Sequence, residues 1–178
     1  MNRVIILDRD GIINNDSLHY IKSVDEFIFI PESVTAIARL SKAGYKIGVA
    51  TNQSGVSRGL YSELMLNQIH QKLRDAVAVA GGHIDAIKYC IHLPSDNCLC
   101  RKPQPGMLYA LAEQFECNLE DVFFVGDRLS DIQAALTAGA KPVMVRSPMT
   151  DLDGLKVYAE VPVYDSLSQF VDSLLSSL

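Results

Sequence analysis

Short apolar runs rich in Val, Ile and Phe recur along the chain with longer stretches of helical period between them. They are VIIL from Val4, YKIGVAT from Tyr45, AIKYC from Ala86, DVFFVGD from Asp121 and KPVMVR from Lys141. A strand buried on both faces reads as a nearly continuous apolar run, and its parallel neighbour is reached only through a crossover, usually a helix. The alternation therefore predicts βαβ units around a mainly parallel sheet, a Rossmann-like three-layer α/β domain. Helices are expected over 31–42, 62–79, 105–115 and 130–137. Pro31 and Pro105 suit first-turn positions, and Gly44, Gly81 and Gly139 suit helix ends. A strand over 161–164 and a helix over 167–175 close the fold. With 178 residues, 48% of them hydrophobic, the chain can build one substantial core. No repeat, low-complexity tract or linker divides it, so residues 1–178 are expected to form a single domain.

The opening MNRVIILDRDG offers an apolar run of four residues before its first aspartate, too short for a signal peptide. No later run approaches the ~18 apolar residues of a membrane span. The expectation is a soluble, cytoplasmic, monomeric protein. Sixteen basic against 21 acidic residues give a net charge of -5, which provides no general attraction to nucleic acid or an anionic membrane. An anionic substrate must be held by local cations.

In open parallel sheets, ligands bind at the carboxyl ends of the strands. The first run leads directly into DRDG, where Asp8 and Asp10, two apart in extended backbone, share one side. Two such carboxylates repel unless a divalent cation bridges them or one holds a proton and works as an acid. The second run ends in ATNQSGVSRG. Thr51 supplies a hydroxyl, Asn52 and Gln53 supply amides, Ser54 and Gly55 expose backbone N–H groups suited to a phosphate, and Arg58 is either a site cation or a solvated surface residue. A loop after the third run carries Arg101 and Lys102. The fourth run ends in VGDRLSD, which adds Asp127; Asp131, one turn on, is either a site carboxylate or a favourable acid in the first turn of a helix.

Asp, Thr, Lys and Asp from successive strand ends make the chain resemble, over nearly its full length, the haloacid-dehalogenase-type phosphohydrolases. The resemblance implies a Mg2+-dependent phosphoric monoester hydrolase. Asp8 would attack phosphorus and become an aspartyl phosphate. Asp10 would protonate the leaving oxygen and later activate water. Thr51 and Lys102 would stabilise the transferring phosphoryl group. Asp8, the backbone carbonyl of Asp10 and Asp127 would hold Mg2+. Asp16, His19, Asn52, Gln53, Ser54, Arg58 and Arg101 would contact a small phosphorylated sugar. Only about 40 residues separate the first two motifs, so no cap domain fits and specificity falls to loops. Within the family, CRKP and the cysteine loop are shared with histidinol-phosphate phosphatases, while SGVSRG and KPxPGM lean to the sugar-bisphosphate branch.

The stretch CIHLPSDNCLC gathers Cys90, His92, Cys98 and Cys100 directly ahead of Arg101 and Lys102. In a reducing compartment such clustered cysteines are metal ligands rather than disulfides, and their soft N/S chemistry suits a closed tetrahedral Zn2+ site. The spacing is not that of the common C-x-x-C knuckle; the family resemblance completes the assignment of a structural zinc. Cys117 reads as a small apolar residue. His70 is expected at the surface or in packing, and His19 at the substrate entrance.

Overall fold

The structure, a computed structural model, describes residues 2–178. Its sheet has six parallel strands, β1 (Arg3–Leu7), β2 (Tyr45–Asn52), β3 (Ala86–Cys90), β4 (Phe123–Gly126), β5 (Lys141–Val145) and β6 (Val163–Tyr164), in the order β3-β2-β1-β4-β5-β6. The helices are α1 (Ser33–Lys42), α2 (Glu63–Val79), α3 (Gly106–Phe115), α4 (Leu129–Ala138), the single turn α5 (Leu152–Leu155) and α6 (Leu167–Ser176). The fold is the single three-layer α/β domain that the apolar alternation predicts, and no further domain is inserted among the described residues.

Alternating side chains of β1 build both halves of the core. Ile5 and Leu7 enter one apolar cluster with Ile37 and Leu40 of α1, Ile69 and Leu73 of α2 and Phe170 of α6. Val4 and Ile6 enter the other with Leu108 and Leu111 of α3 and Ala134 and Ala135 of α4. All four β1 side chains are buried, and at ~25 cal/mol per Å² of apolar area each contributes about 1.5–3 kcal/mol relative to exposure. β1 is thus pinned on both faces, which fixes the point where the chain leaves it at Asp8.

Two local expectations need correcting. Pro31 and Pro105 lie ahead of their helices: Glu32, with a left-handed φ of 68°, intervenes before α1, and Pro105 occupies the cap position of α3. The run from Asp121 begins as a strand only at Phe123, because Leu119–Asp121 forms a 3-10 turn capped by Asn118, whose side chain accepts the Glu120 N–H at 3.1 Å. Gly44, Gly81 and Gly139 do follow helices, with φ of +88°, +85° and +78°. No helix among the described residues is long and apolar enough to cross a membrane.

Candidate active site

Strand order reverses around β1, whose sheet neighbours β2 and β4 come from opposite halves of the chain. A crevice opens there, beyond the carboxyl ends of the strands. It measures about 570 Å³, and its lining includes Asp8, Asp10, Thr51, Lys102 and Asp131.

Lys102 forms the centre of the floor. Its Nζ donates to Asp8 Oδ1 at 2.9 Å and to the Ala50 carbonyl at 2.9 Å, and pairs with Asp131 Oδ1 at 2.8 Å. Burial alone would lower its pKa, but Asp131 and Asp8 reverse that and hold the ammonium charged beyond the ordinary lysine range. Asp131 Oδ2 accepts the backbone N–H groups of Asp127 and Arg128, both at 3.1 Å. Both readings of Asp131 hold together: one oxygen steadies the N-terminal turn of α4 and the other fixes the lysine.

Carboxylate oxygens of Asp8, Asp127 and Asp131 lie within 4.8 Å of one another, all buried. With all three ionised and Lys102 as their ammonium partner, an excess of two negative charges would remain. Burial lifts the Asp8 pKa well above the usual carboxylate range, with Asp131 and Asp127 adding to the rise against Lys102. Burial and Asp131 likewise lift Asp127 to about 6. Asp127 Oδ2 accepts the Ser147 hydroxyl at 2.6 Å, while its Oδ1 is buried with no hydrogen-bond partner. A buried, unpartnered carboxylate oxygen within such an excess of charge suits a hard divalent cation. Gly11 makes the arrangement possible. Its φ is +86°, and a Cβ there would lie 2.1 Å from Asp127 Oδ2.

Asp10 sits apart from this cluster in a different environment. Its Oδ1 accepts Arg9 Nε at 3.0 Å, Arg9 Nη2 at 2.9 Å and Asn14 Nδ2 at 2.8 Å, and its Oδ2 accepts Gln53 Nε2 at 3.1 Å. Burial pushes its pKa up, but the Arg9 guanidinium and these donors outweigh it and hold the carboxyl below the usual range. Two aspartates two residues apart are therefore driven in opposite directions in the metal-free crevice, Asp8 towards its protonated form and Asp10 towards its ionised form. A cation bound beside Asp8 would bring its pKa back down.

Beyond β3, Cys90 Sγ lies 3.4 Å from His92 Nδ1, 3.6 Å from Cys98 Sγ and 3.0 Å from Cys100 Sγ, and His92 Nδ1 lies 3.2 Å from Cys100 Sγ. A tetrahedron with Zn–S and Zn–N bonds of about 2.3 and 2.0 Å has edges of roughly 3.5–3.8 Å. The four groups fit zinc with small adjustments. Asn52 ties this loop to β2, its Nδ2 donating to the Lys102 carbonyl at 3.1 Å and its Oδ1 accepting the Lys102 N–H at 3.0 Å.

Of the expected substrate contacts, Asp16, Asn52, Gln53, Ser54, Arg58 and Arg101 line the crevice. His19 does not; it is exposed beside lining residues Leu18 and Tyr20. Gln53 and Asn52 spend their amides on protein partners. Sequence reasoning leaves Arg128, Arg9 and His70 without a role. Arg128, readable as the cation after Asp127, lines the crevice and donates to Asp16 Oδ2 at 2.9 Å. Arg9 is fully buried; its Nη1 lies 3.2 Å from Nε2 of His70, itself buried and lowered to about 3 by burial and by Arg9. No single-residue pattern signals that pair, because its members are 61 positions apart.

Residues 99–170 match the HAD-hydrolase-like family profile. The D-glycero-β-D-manno-heptose-1,7-bisphosphate 7-phosphatase of Pseudomonas putida is 53% identical over 145 residues, which are 82% of this chain and 83% of that protein. The Bordetella bronchiseptica enzyme of the same name is 49% identical over 82% of this chain and 81% of its own length. Among solved structures, the D,D-heptose 1,7-bisphosphate phosphatase of B. bronchiseptica, complexed with magnesium and phosphate, superposes with a TM-score of 0.91. It is 43% identical, and 99% of each chain is covered. With strand-end aspartates, threonine and lysine around one crevice and relatives this similar over most of their length, the chain belongs to the haloacid-dehalogenase-like hydrolases, in the family of the D-glycero-β-D-manno-heptose-1,7-bisphosphate 7-phosphatases.

Proposed function

We propose that residues 1–178 act as one hydrolase domain, a cytoplasmic monomer that removes the C7 phosphate of D-glycero-β-D-manno-heptose 1,7-bisphosphate in ADP-heptose and lipopolysaccharide core biosynthesis. The observation that carries the reading is the buried Asp8–Lys102–Asp131 arrangement on the crevice floor with Asp10 beside it. The activity of the relatives at 49–53% identity supports the substrate and its β anomer.

Asp8 attacks phosphorus in line; a P–O bond to its carboxylate forms as the bond to the sugar oxygen breaks. Asp10 delivers the proton that the departing alkoxide requires, then takes one from water as that water attacks the aspartyl phosphate and frees Asp8. The incoming phosphate dianion raises the proton affinity of Asp10, which is ionised in the free crevice. Lys102 and the Thr51 hydroxyl neutralise charge on the phosphoryl oxygens. Asp8, the Asp10 carbonyl and Asp127 would hold Mg2+, which when bound offsets the excess negative charge and that of the phosphoryl group. Arg101, whose Nη1 is buried without a partner, and Arg58, whose Nε reaches Ser54 Oγ at 3.4 Å, offer unspent donors to the second phosphate. Asp16 and Ser54 line the sugar's path.

The test is turnover of the β and α heptose 1,7-bisphosphates and of histidinol phosphate, with and without Mg2+ after exhaustive EDTA treatment. The β sugar is expected to be preferred and all activity to return with Mg2+. Equal activity without metal, or preference for histidinol phosphate, overturns the reading.

Zinc on Cys90, His92, Cys98 and Cys100 would be structural, since four protein ligands leave no open position for substrate. Cys98→Ser introduces a harder, less readily ionised ligand. It should lower bound zinc from about one per chain, reduce the melting temperature and weaken activity by loosening the Arg101–Lys102 loop. Saturating Mg2+ should not restore what zinc loss removes. A zinc-free preparation with unchanged kinetics and melting temperature counts against any supporting role.

A further inference from the structure

Tyr61, in the loop before α2, takes no part in the scheme above, lies outside the crevice lining and is buried to 8% exposure. Its hydroxyl donates to Gln53 Oε1 at 2.5 Å. Burial is the largest cause of its pKa rising to about 12, so the group keeps its proton and remains a donor. That one bond decides how the Gln53 amide is turned. With Oε1 held by Tyr61, Nε2 must face the other way, where it donates to Asp10 Oδ2 at 3.1 Å and to Thr51 Oγ1 at 2.9 Å. The opposite amide orientation would set a carbonyl oxygen against the Asp10 carboxylate. Gln53 itself is 3% exposed, so water has little access to correct a wrong orientation.

Gly55 bears on the same arrangement. A Cβ there would lie 2.2 Å from Tyr61 Cε1 and 2.9 Å from its hydroxyl oxygen. Any larger residue at 55 would displace the ring that reaches Gln53, and so the glycine of TNQSG and the tyrosine six positions on form one packed unit.

We propose that Tyr61 is a positioning residue for phosphoryl transfer, acting through Gln53. Its hydroxyl orients the Gln53 amide so that one NH2 group holds Asp10 Oδ2 towards the leaving oxygen. The same NH2 group occupies a lone pair of Thr51 Oγ1, which turns the Thr51 O–H outward to the phosphoryl group. Asp10 Oδ1 already carries three donors, two from Arg9 and one from Asn14, so Oδ2 is the oxygen left to exchange a proton with substrate. This inference rests on the acid/base role proposed above for Asp10.

Tyr61→Phe removes the hydroxyl and keeps the ring, so folding and the packing on Gly55 are retained. In single-turnover phosphoryl transfer from the heptose bisphosphate, the variant should be slower by roughly tenfold with KM little changed. With p-nitrophenyl phosphate, whose leaving group departs without a proton, the part of the defect that passes through Asp10 should vanish and the ratio to wild type should move towards one. Gln53→Leu removes the intermediary, and adding Tyr61→Phe to it should cost nothing further, since coupled residues fail to add. Additive losses in the double variant, or an unchanged transfer rate in Tyr61→Phe, overturn the proposal and leave Tyr61 as packing alone. An equal defect on both leaving groups overturns its route through Asp10. Wild-type turnover of the heptose bisphosphate tests the proposed substrate separately, because the variant-to-wild-type ratio can be read on any alkyl phosphate that the enzyme accepts.

Discussion

Asp8→Asn should abolish formation of the phosphorylated enzyme and lower kcat by at least ~10³-fold, about 4 kcal/mol of transition-state stabilisation. An amide nitrogen or oxygen is a poor nucleophile towards phosphorus, and a neutral amide is a weaker ligand for a hard cation. Stability should move the other way. In the metal-free protein Asp8 has a raised pKa because burial, Asp131 and Asp127 oppose its charge more than Lys102 supports it. A folded-state pKa above the unfolded value gives stability that is full at low pH and is lost as pH rises through the raised value. The amide has no such loss, so at neutral pH the metal-free variant should melt no lower than wild type, and its melting temperature should depend less on pH. Saturating Mg2+ should raise the melting temperature of wild type more than that of the variant, since binding to the folded state stabilises it. Both measurements are simple: trapping of radiolabelled phosphate on the protein, and melting curves across pH with and without metal. A variant that retains more than about a tenth of wild-type kcat would remove Asp8 from the nucleophile's position.

The sheet was legible because a parallel strand buried on both faces leaves a continuous apolar run, and β1, β2, β3 and β5 each begin within a residue of their runs. Chemistry-bearing residues were legible for a related reason. Asp8, Thr51 and Asp127 occupy strand ends, and the topology of a doubly wound sheet brings strand ends together whatever lies between them. Lys102 does not follow a strand directly. Its place depends on the loop of Cys90, His92, Cys98 and Cys100 and on the two bonds from Asn52. The sequence shows a cation on that loop, and its role follows only from the resemblance. The buried support around Asp10 was not legible. Arg9 looks like a surface cation between two aspartates, yet it is fully buried, its guanidinium 5.3 Å from the Phe27 ring centroid and bonded to Asp10 and His70. The helical period of α2 can put His70 on an inward face, but it carries no information on which polar group from a distant turn will meet it. Asp131 illustrates the remaining ambiguity. Its position in the first turn of α4 and its pairing with Lys102 use different oxygens, so neither reading could exclude the other.

Lys102→Ala should have the next largest effect, and on stability and catalysis at once. The side chain is 3% exposed, and its ammonium satisfies Asp8, Asp131 and the Ala50 carbonyl together. Removing one member of a buried ion pair costs about 3–5 kcal/mol, chiefly because the partner charges stay behind without compensation. Here two carboxylates would be left, beside Asp127, whose pKa is already lifted to about 6. The wild-type contribution comes from a lysine whose folded pKa is raised, so it is fully present below the ordinary lysine value and is lost only at strongly alkaline pH. At neutral pH the metal-free variant should therefore be markedly less stable than wild type, in contrast to Asp8→Asn. Mg2+ should recover part of the melting temperature, since a divalent ion relieves the same crowd of carboxylates. It should not recover kcat, which should fall by about 10²–10³-fold, because the charge that develops on the transferring phosphoryl group loses its fixed donor. Lys102→Arg should not rescue either property: a planar fork of five donors cannot replace a compact ammonium seated among three acceptors. Combining Lys102→Ala with Asp131→Asn gives the sharpest check. If repulsion among the remaining carboxylates dominates the instability, the second substitution should return part of the lost melting temperature while leaving the catalytic defect in place. A double variant no more stable than Lys102→Ala would instead assign the instability to the space and the unpaired Ala50 carbonyl left behind.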